Sequence, residues 1–237
     1  MKSFNYKRHN DYKWVMVIDL DRCNGCGACV IACQAENNIP VVGEKLALQK
    51  RTMSWLRIER YFDGEWPNLR VAFLPMPCQQ CDSAPCEPVC PVFATYQNPE
   101  GLNAMIYNRC IGTRFCGNNC PYGVRKFNWF DYELESPLEE QLNPDVSVRS
   151  KGVMEKCTFC IQRIRRGKDT AKDENRKVRD GDIMPACSQS CPTNAIMFGN
   201  VNDPHSKVAE MAESKRRLLL LEEHGTHPSV IYLKGGV

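Results

Sequence analysis

The chain of 237 residues has no long hydrophobic run. Its longest apolar stretch near a helical pattern, Leu218 to Leu221, falls far short of the roughly 20 residues a membrane-spanning helix needs, so no transmembrane helix is expected. The segment Met1 to Asn10 is polar and charged, with neither the apolar core and small-residue cleavage site of a secretory signal nor a twin-arginine pattern. Export would therefore depend on a signal-bearing partner. Excess charge is also lacking: the formal net charge is only +3, and no nucleic-acid partner is expected. The basic residues from Arg149 to Arg179 are interleaved with acidic ones, as in Lys168-Asp169 and Lys172-Asp173-Glu174, and read as a solvated face or loop.

Cysteine is abundant instead, with 15 residues in four tight groups. A metal framework is expected to replace part of the core. An odd count, with Cys23, Cys26, Cys29 and Cys33 crowded together, does not suit a disulfide scaffold. Paired C-x2-C units would suit zinc, but structural zinc takes its ligands in fours. A Cys-x2-Cys-x2-Cys-x3-Cys run puts more thiolates in one loop than a tetrahedral site uses. Iron–sulfur clusters fit that spacing. Because every cluster position has a candidate thiol, the four histidines, His9, His205, His224 and His227, read as surface residues.

In chain order, Trp14 to Leu20 is a β-branched run that reads as a buried strand. It leads into the first cysteine group, where Gly25 and Gly27 permit the tight loop, and a helix is expected from after Cys26 to about Glu36. Trp55 to Phe62 and Leu69 to Phe73 read as a hairpin around Asp63-Gly64, with Trp55, Tyr61, Phe62 and Trp66 expected to pack. The second group is Cys78, Cys81, Cys86 and Cys90, followed by Pro91. Val92 to Tyr96 and Met105 to Asn108 read as a strand pair. The third group holds only Cys110, Cys116 and Cys120, followed by Pro121, with Thr113 where another cysteine would be expected. The fourth is split into Cys157 and Cys160, then Cys187 and Cys191 followed by Pro192. Ala195 to Phe198 reads as a strand, Val208 to Leu221 has helical spacing, and Val230 to Leu233 is apolar.

Four cysteine groups in this order, with Cys-Pro-Tyr-Gly-Val-Arg-Lys-Phe (120–127), Lys-Cys-Thr-Phe-Cys-Ile-Gln-Arg-Ile (156–164) and Pro-Ala-Cys-Ser-Gln-Ser-Cys-Pro (185–192), closely resemble the four-cluster ferredoxin-like subunits of the complex iron–sulfur molybdoenzyme family. That family includes the electron-transfer subunits of dimethyl sulfoxide reductase, polysulfide reductase, formate dehydrogenase and nitrate reductase. The likeness spans about residues 13–200 and is loose beyond. The stretch 113–121 resembles the iron–sulfur module of alternative complex III and the iron–sulfur subunit of the related quinone reductase complex of sulfate-reducing bacteria. In alternative complex III the module follows a large domain. This chain starts at Met1 and ends soon after the module, so a separate subunit is expected.

The resemblance implies an α+β fold of two ferredoxin-like βαββαβ units with long loops. Residues 13–37 plus 150–200 would form an outer unit, residues 70–130 an inner unit inserted in it, and residues 201–237 a docking tail. In two-cluster ferredoxins the fourth cysteine of one run binds the other run's cluster. Applied here, that rule gives [4Fe-4S] sites at Cys23, Cys26, Cys29 and Cys191; at Cys33, Cys157, Cys160 and Cys187; and at Cys78, Cys81, Cys86 and Cys120. Cys90, Cys110 and Cys116 remain around Thr113. Either the Thr113 hydroxyl, a water or a nearby side chain completes a [4Fe-4S] cluster there, or the site holds [3Fe-4S]. Ligand count favours the second, since a neutral alcohol is a poor ligand beside thiolate. Three [4Fe-4S] clusters and one [3Fe-4S] cluster, each adding about −2, would bring the loaded chain to about −5.

The implied role is a non-catalytic redox subunit. It would pass single electrons between a molybdopterin-type large subunit or a multihaem cytochrome c at the outer pair and an integral membrane subunit of polysulfide reductase type, reducing a quinone, with menaquinone expected. It would be peripheral to the membrane, on the periplasmic face, exported with its partner. Alternatives are the same module serving a polysulfide, tetrathionate or dimethyl sulfoxide reductase with reversed current, and a soluble polyferredoxin. Arg114, Tyr122, Arg125 and Lys126 would tune the last cluster or dock the membrane subunit, or form ordinary ion pairs.

Overall fold

The run Trp-Val-Met-Val-Ile-Asp is continuously apolar up to its last residue and rich in β-branched side chains, as suits a strand covered on both faces, and in a computed structural model it forms β1, Trp14–Asp19, with all six residues buried. The structure describes residues 11–234; the polar stretch 1–10, with His9, and residues 235–237 lie outside the described residues. β1 is central in a four-stranded sheet. It pairs antiparallel with β8, Ile196–Asn200, and parallel with β10, Val230–Leu233, while β9, Arg217–Leu218, pairs antiparallel with β10 at the edge.

Successive side chains of a strand face opposite sides, and the sheet uses both. Val15, Val17, Ile231 and Leu233 meet Val208 and Ala212 of α6, Lys207–Ala212, in a small core. Trp14, Met16, Ile18, Val230 and Tyr232 face the other way, into the core that contains the cysteines.

The elements of that larger core are short. They are α1, Ala28–Glu36; the hairpin β2, Arg57–Asp63, with β3, Arg70–Met76; the pair β4, Thr95–Gln97, with β5, Asn103–Met105; α3, Phe115–Asn118; the pair β6, Lys126–Phe127, with β7, Met154–Glu155; α4, Ile161–Asp173; and α5, Ala186–Gln189. A further helix, α2, spans Gly43–Leu48. Arg163 of α4 joins three of these helical segments: its guanidinium meets the Glu36 carboxylate at 2.6 Å and donates to the Gln189 side chain at 2.6 Å and the Met184 carbonyl at 3.0 Å.

Several elements depart from the expectation. Of the four hairpin aromatics only Trp55 is packed, at 3% exposure, whereas Trp66 is 87% exposed and Tyr61 and Phe62 are exposed too. The tip of the hairpin extends past the core and has no layer to face. The expected helix over Val208 to Leu221 stops at Ala212. Beyond it Leu219 packs on the small core and Leu220 on the large one, an alternation of extended chain rather than of helix. Arg216 anchors the change, its guanidinium pairing with Asp19 at 2.7 Å.

The end of the chain is structural as well. β10 is fully buried in the sheet. Just before it, the backbone of 226–229 straps the second cysteine loop, through Ser83 N to Thr226 O at 3.1 Å, Asp82 N to His227 O at 2.9 Å and Ser229 N to Gln79 O at 2.8 Å. Nor is the basic stretch wholly solvated. Arg149 is buried against Glu155 at 3.0 Å, and Lys156 has no exposure at all. His205, His224 and His227 are exposed. Among the described residues, no helix is long and apolar enough to cross a membrane.

Candidate iron–sulfur sites

All fifteen cysteines are free thiols, and the fold gathers them into four neighbourhoods. Cys29, in the first turn of α1, lies near Cys23, Cys26 and Cys191; burial pushes its thiol up to about 12, and the three neighbouring sulfurs add to the shift. Cys33, one turn on, faces Cys157, Cys160 and Cys187 and is pushed well up, chiefly by burial and then by those thiols. Cys78, Cys81, Cys86 and Cys120 line one small pocket together with Asn103, Tyr122 and Arg125. Cys90, Cys110 and Cys116 line another, whose wall includes Thr113.

The neighbourhoods stand in order. Cys187 of the second is close enough to Cys29 of the first to feel its charge, and Cys157 of the second feels Cys78 of the third. Arg125 acts on Cys78 and Cys86 of the third and on Cys116 of the Thr113 pocket.

Close backbone approach shapes two loops. Gly25 has φ +70°, and a Cβ there would meet the Phe73 ring at 2.4 Å, so β3 lies directly on the first cysteine loop. Gly112, next to Thr113, has φ +74°, and a Cβ would meet the Gly152 carbonyl oxygen at 2.4 Å. Only glycine fits either position without strain.

Backbone and side-chain donors point at sulfur. Ala94 N donates to Cys90 Sγ and Ala195 N to Cys191 Sγ, each at 3.2 Å, in the matching stretches Cys-Pro-Val-Phe-Ala and Cys-Pro-Thr-Asn-Ala. Burial raises these two thiols, but the converging N–H groups, joined at Cys191 by the Thr193 hydroxyl, outweigh it, and both lie below their ordinary value. Met154 N reaches Cys110 Sγ at 3.4 Å and Phe159 N reaches Cys157 Sγ at 3.4 Å. Asn37 Nδ2 serves both Cys33 Sγ at 3.7 Å and Cys160 Sγ at 3.9 Å.

The donor set suits iron–sulfur clusters. Buried thiols that raise one another's pKa become thiolates together only when cationic metal offsets their charge. Thiols grouped in fours suit a polynuclear cluster, in which each binds a different iron.

The four residues expected beside the last cluster divide. Arg125 and Tyr122 are buried on the third cavity, Tyr122 with its hydroxyl 2.6 Å from Thr226 Oγ1. Lys126 is half-buried, and Arg114 stacks outside over Phe127 and Trp129 at 5.2 and 5.0 Å. Asn37, Gln80, Thr226 and the burial of Lys156 had no reading in the sequence. A lysine directly before the Cys157-x2-Cys160 pair was the one available signal.

Residues 69–136 match the family model of a 4Fe-4S dicluster domain, and residues 14–35 match that of a 4Fe-4S binding domain. The chain is 48% identical to the iron-sulfur cluster-binding subunit of menaquinone reductase from Nitratidesulfovibrio vulgaris, over 93% of this chain and 88% of that protein. It is 34% identical to Hdr-like menaquinol oxidoreductase iron-sulfur subunit 1 of Archaeoglobus fulgidus, over 94% and 84% respectively. With a chain of the polysulfide reductase of Wolinella succinogenes it shares 30% identity over 95% and 97%.

The chain belongs to the iron–sulfur electron-transfer subunits of the complex iron–sulfur molybdoenzyme family. As such a subunit it is a mixed helix-and-strand protein with 4Fe-4S ferredoxin-type domains. Its two matched segments contain the first three cysteine groups; the split fourth group lies outside both.

Proposed function

We propose that the chain holds four clusters in series and passes single electrons between a molybdopterin-type large subunit or multihaem cytochrome c and a menaquinone site in an integral membrane subunit of polysulfide reductase type. The observation that carries this reading is the order of the four thiol neighbourhoods: the first lies within electrostatic reach of the second and the second of the third, and Arg125 is shared by the third and the Thr113 pocket. When bound, iron–sulfur clusters supply one-electron redox chemistry. The chain's residues hold them at fixed places and wrap them in buried, hydrogen-bonding loops.

In this reading Cys23, Cys26, Cys29 and Cys191 hold the first [4Fe-4S] cluster, Cys33, Cys157, Cys160 and Cys187 the second, and Cys78, Cys81, Cys86 and Cys120 the third. Cys90, Cys110 and Cys116 hold a [3Fe-4S] cluster, because the remaining position is Thr113, whose neutral hydroxyl is a poor iron ligand. The outer pair forms one ferredoxin-like unit from residues 13–37 and 150–200, and residues 70–130 form a second inserted within it. A cluster lacking one iron has a raised potential, which suits the end of the series that meets quinone.

Phe93, Ile111 and Phe115 are large, apolar and exposed, and Ile111 lines the Thr113 pocket. Exposed large apolar residues of this kind suit burial against a partner, here the membrane subunit. The complex sits on the periplasmic face, exported with a signal-bearing partner.

Affinity purification from native membranes tests the assembly. The expected result is recovery with a large redox subunit and a membrane chain, with clusters that a short-chain menaquinol analogue reduces. Recovery of the chain alone with its full iron content would support a free polyferredoxin and overturn this reading. A second reading, with current toward a substrate reductase, draws on the 32% identity to a tetrathionate reductase subunit of Salmonella typhimurium. It predicts a molybdopterin partner that accepts electrons from menaquinol through this chain.

A further inference from the structure

Four cations are buried among the described residues: Lys13, Arg125, Arg149 and Lys156. Two have carboxylate partners. Lys13 pairs with Asp82, and Arg149 pairs with Glu155 at 3.0 Å. The other two meet neutral groups, and Arg125 also meets the Cys116 thiol. Lys156, with no exposure, donates from Nζ to the Cys157 carbonyl oxygen at 3.0 Å. Arg125 donates from Nη2 to Thr95 Oγ1 at 2.6 Å and to Asn103 Oδ1 at 2.7 Å, and from Nη1 to the Met105 sulfur at 3.9 Å. An uncompensated buried charge is strongly unfavourable, so each of these two requires an anion that the protein's carboxylates do not provide.

Their positions indicate which anion. The Cys157 carbonyl that accepts from Lys156 also accepts from Gln80 Nε2 at 2.7 Å, and Gln80 lies between Cys78 and Cys81. Lys156 therefore sits at the seam of the second and third thiol neighbourhoods, close enough to act electrostatically on Cys157 and Cys86. Arg125 lines the third cavity, while its acceptors Thr95 and Met105 line the Thr113 cavity. The same chain of contacts joins the two cations, since Gln80 Oε1 accepts from Asn103 N at 2.9 Å and Asn103 Oδ1 accepts from Arg125.

We propose that Lys156 and Arg125 are resident counter-cations of the cluster series, Lys156 between the second and third sites and Arg125 between the third and the Thr113 site, and that each raises the reduction potentials of the sites it flanks. The inference rests on the cluster assignment above. Its physical basis is direct: reduction makes a cluster more negative, so a fixed positive charge in a low-dielectric interior favours the reduced form. The two cations stand at successive gaps toward the Thr113 end, which tilts the series toward quinone.

The test is EPR-monitored redox titration of the purified complex. Lys156→Met should lower the potentials of the second and third clusters by at least a tenfold change in one-electron equilibrium, which is 59 mV, and leave the first and last less affected. Arg125→Met should do the same to the third cluster and the Thr113 cluster. Lys156→Arg and Arg125→Lys, which keep the charge, should stay near the wild-type potentials. Wild-type iron and sulfide content with unchanged potentials in the Met variants would overturn the proposal. If the Met variants lose clusters, retention in the charge-keeping variants supports it, and loss there as well overturns it in favour of a packing role. Failure of the cluster assignment is distinguishable, because the wild-type complex would then lack the expected EPR signals.

Discussion

Gln80 Nε2 donates to the carbonyl oxygen of Cys157 at 2.7 Å, across 77 residues of chain. Gln80 has no exposure, and its other amide atom, Oε1, accepts from Asn103 N at 2.9 Å. One side chain thus joins the second cysteine loop, the fourth and β5. Removing it leaves a buried backbone N–H and weakens the support of a buried carbonyl, each costly to leave unpaired. Gln80→Leu is expected to destabilise the loaded chain by about 2–3 kcal/mol, seen as a lower denaturation midpoint. A midpoint unchanged in Gln80→Leu would show that the loops are held by their clusters alone.

The Glu36–Arg163 pair gives a pH dependence. Burial raises the Glu36 carboxyl, but hydrogen bonds from Arg163 and Gln162 outweigh it and hold it below its ordinary value of 4.5. A carboxyl lowered in the folded state contributes stability above its unfolded value and loses it as pH falls through the folded value. Glu36→Gln should cost about 1 kcal/mol at neutral pH, the size of a partly screened ion pair, and should flatten the acid side of the stability profile. Parallel profiles for the two proteins below pH 5 would count against this.

At Thr113 the chemistry can be reversed. Thr113→Cys offers a fourth thiolate, which should convert the site to [4Fe-4S], lower its potential and slow electron delivery to quinone. EPR of the oxidised variant checks the first effect and stopped-flow reduction the last. Unchanged cluster type and rate would contradict the assignment.

The exposed apolar residues beside that pocket should matter for assembly and not for folding. Ile111→Glu with Phe115→Glu replaces residues that are 65% and 57% exposed, so stability should change by no more than about 0.5 kcal/mol per site. Co-purification of the membrane subunit should be lost. Retention of that subunit would move the docking face elsewhere.

Much of the scaffold was legible in the sequence because local signals and tertiary structure agree. β1 is a continuous apolar run with three β-branched residues, β2 and β3 form a hairpin that turns at Asp63-Gly64, and the helix after Cys26 forms at Ala28. Cysteine spacing made the family legible, since thiolates crowded in one loop have few chemical uses. What escaped depends on contacts distant in sequence. Leu218 to Leu221 could serve a helix or extended chain, and only two cores on opposite sides of the sheet decide between them. Val230 to Leu233 is too short to show by itself that it would insert beside β1. Lys156 resembles any surface lysine until Gln80 and the second cysteine loop close over it, and the exposed Trp66 resembles a core residue until the hairpin is seen to extend past the core.

The central claim is that three complete clusters end in one that lacks an iron at Thr113, and EPR of the oxidised complex isolated without oxygen tests it most directly. The account predicts a spin-half [3Fe-4S] signal integrating to about one per chain, lost on reduction before the signals of the [4Fe-4S] clusters appear. Absence of that signal in a complex with four irons at every site would contradict it.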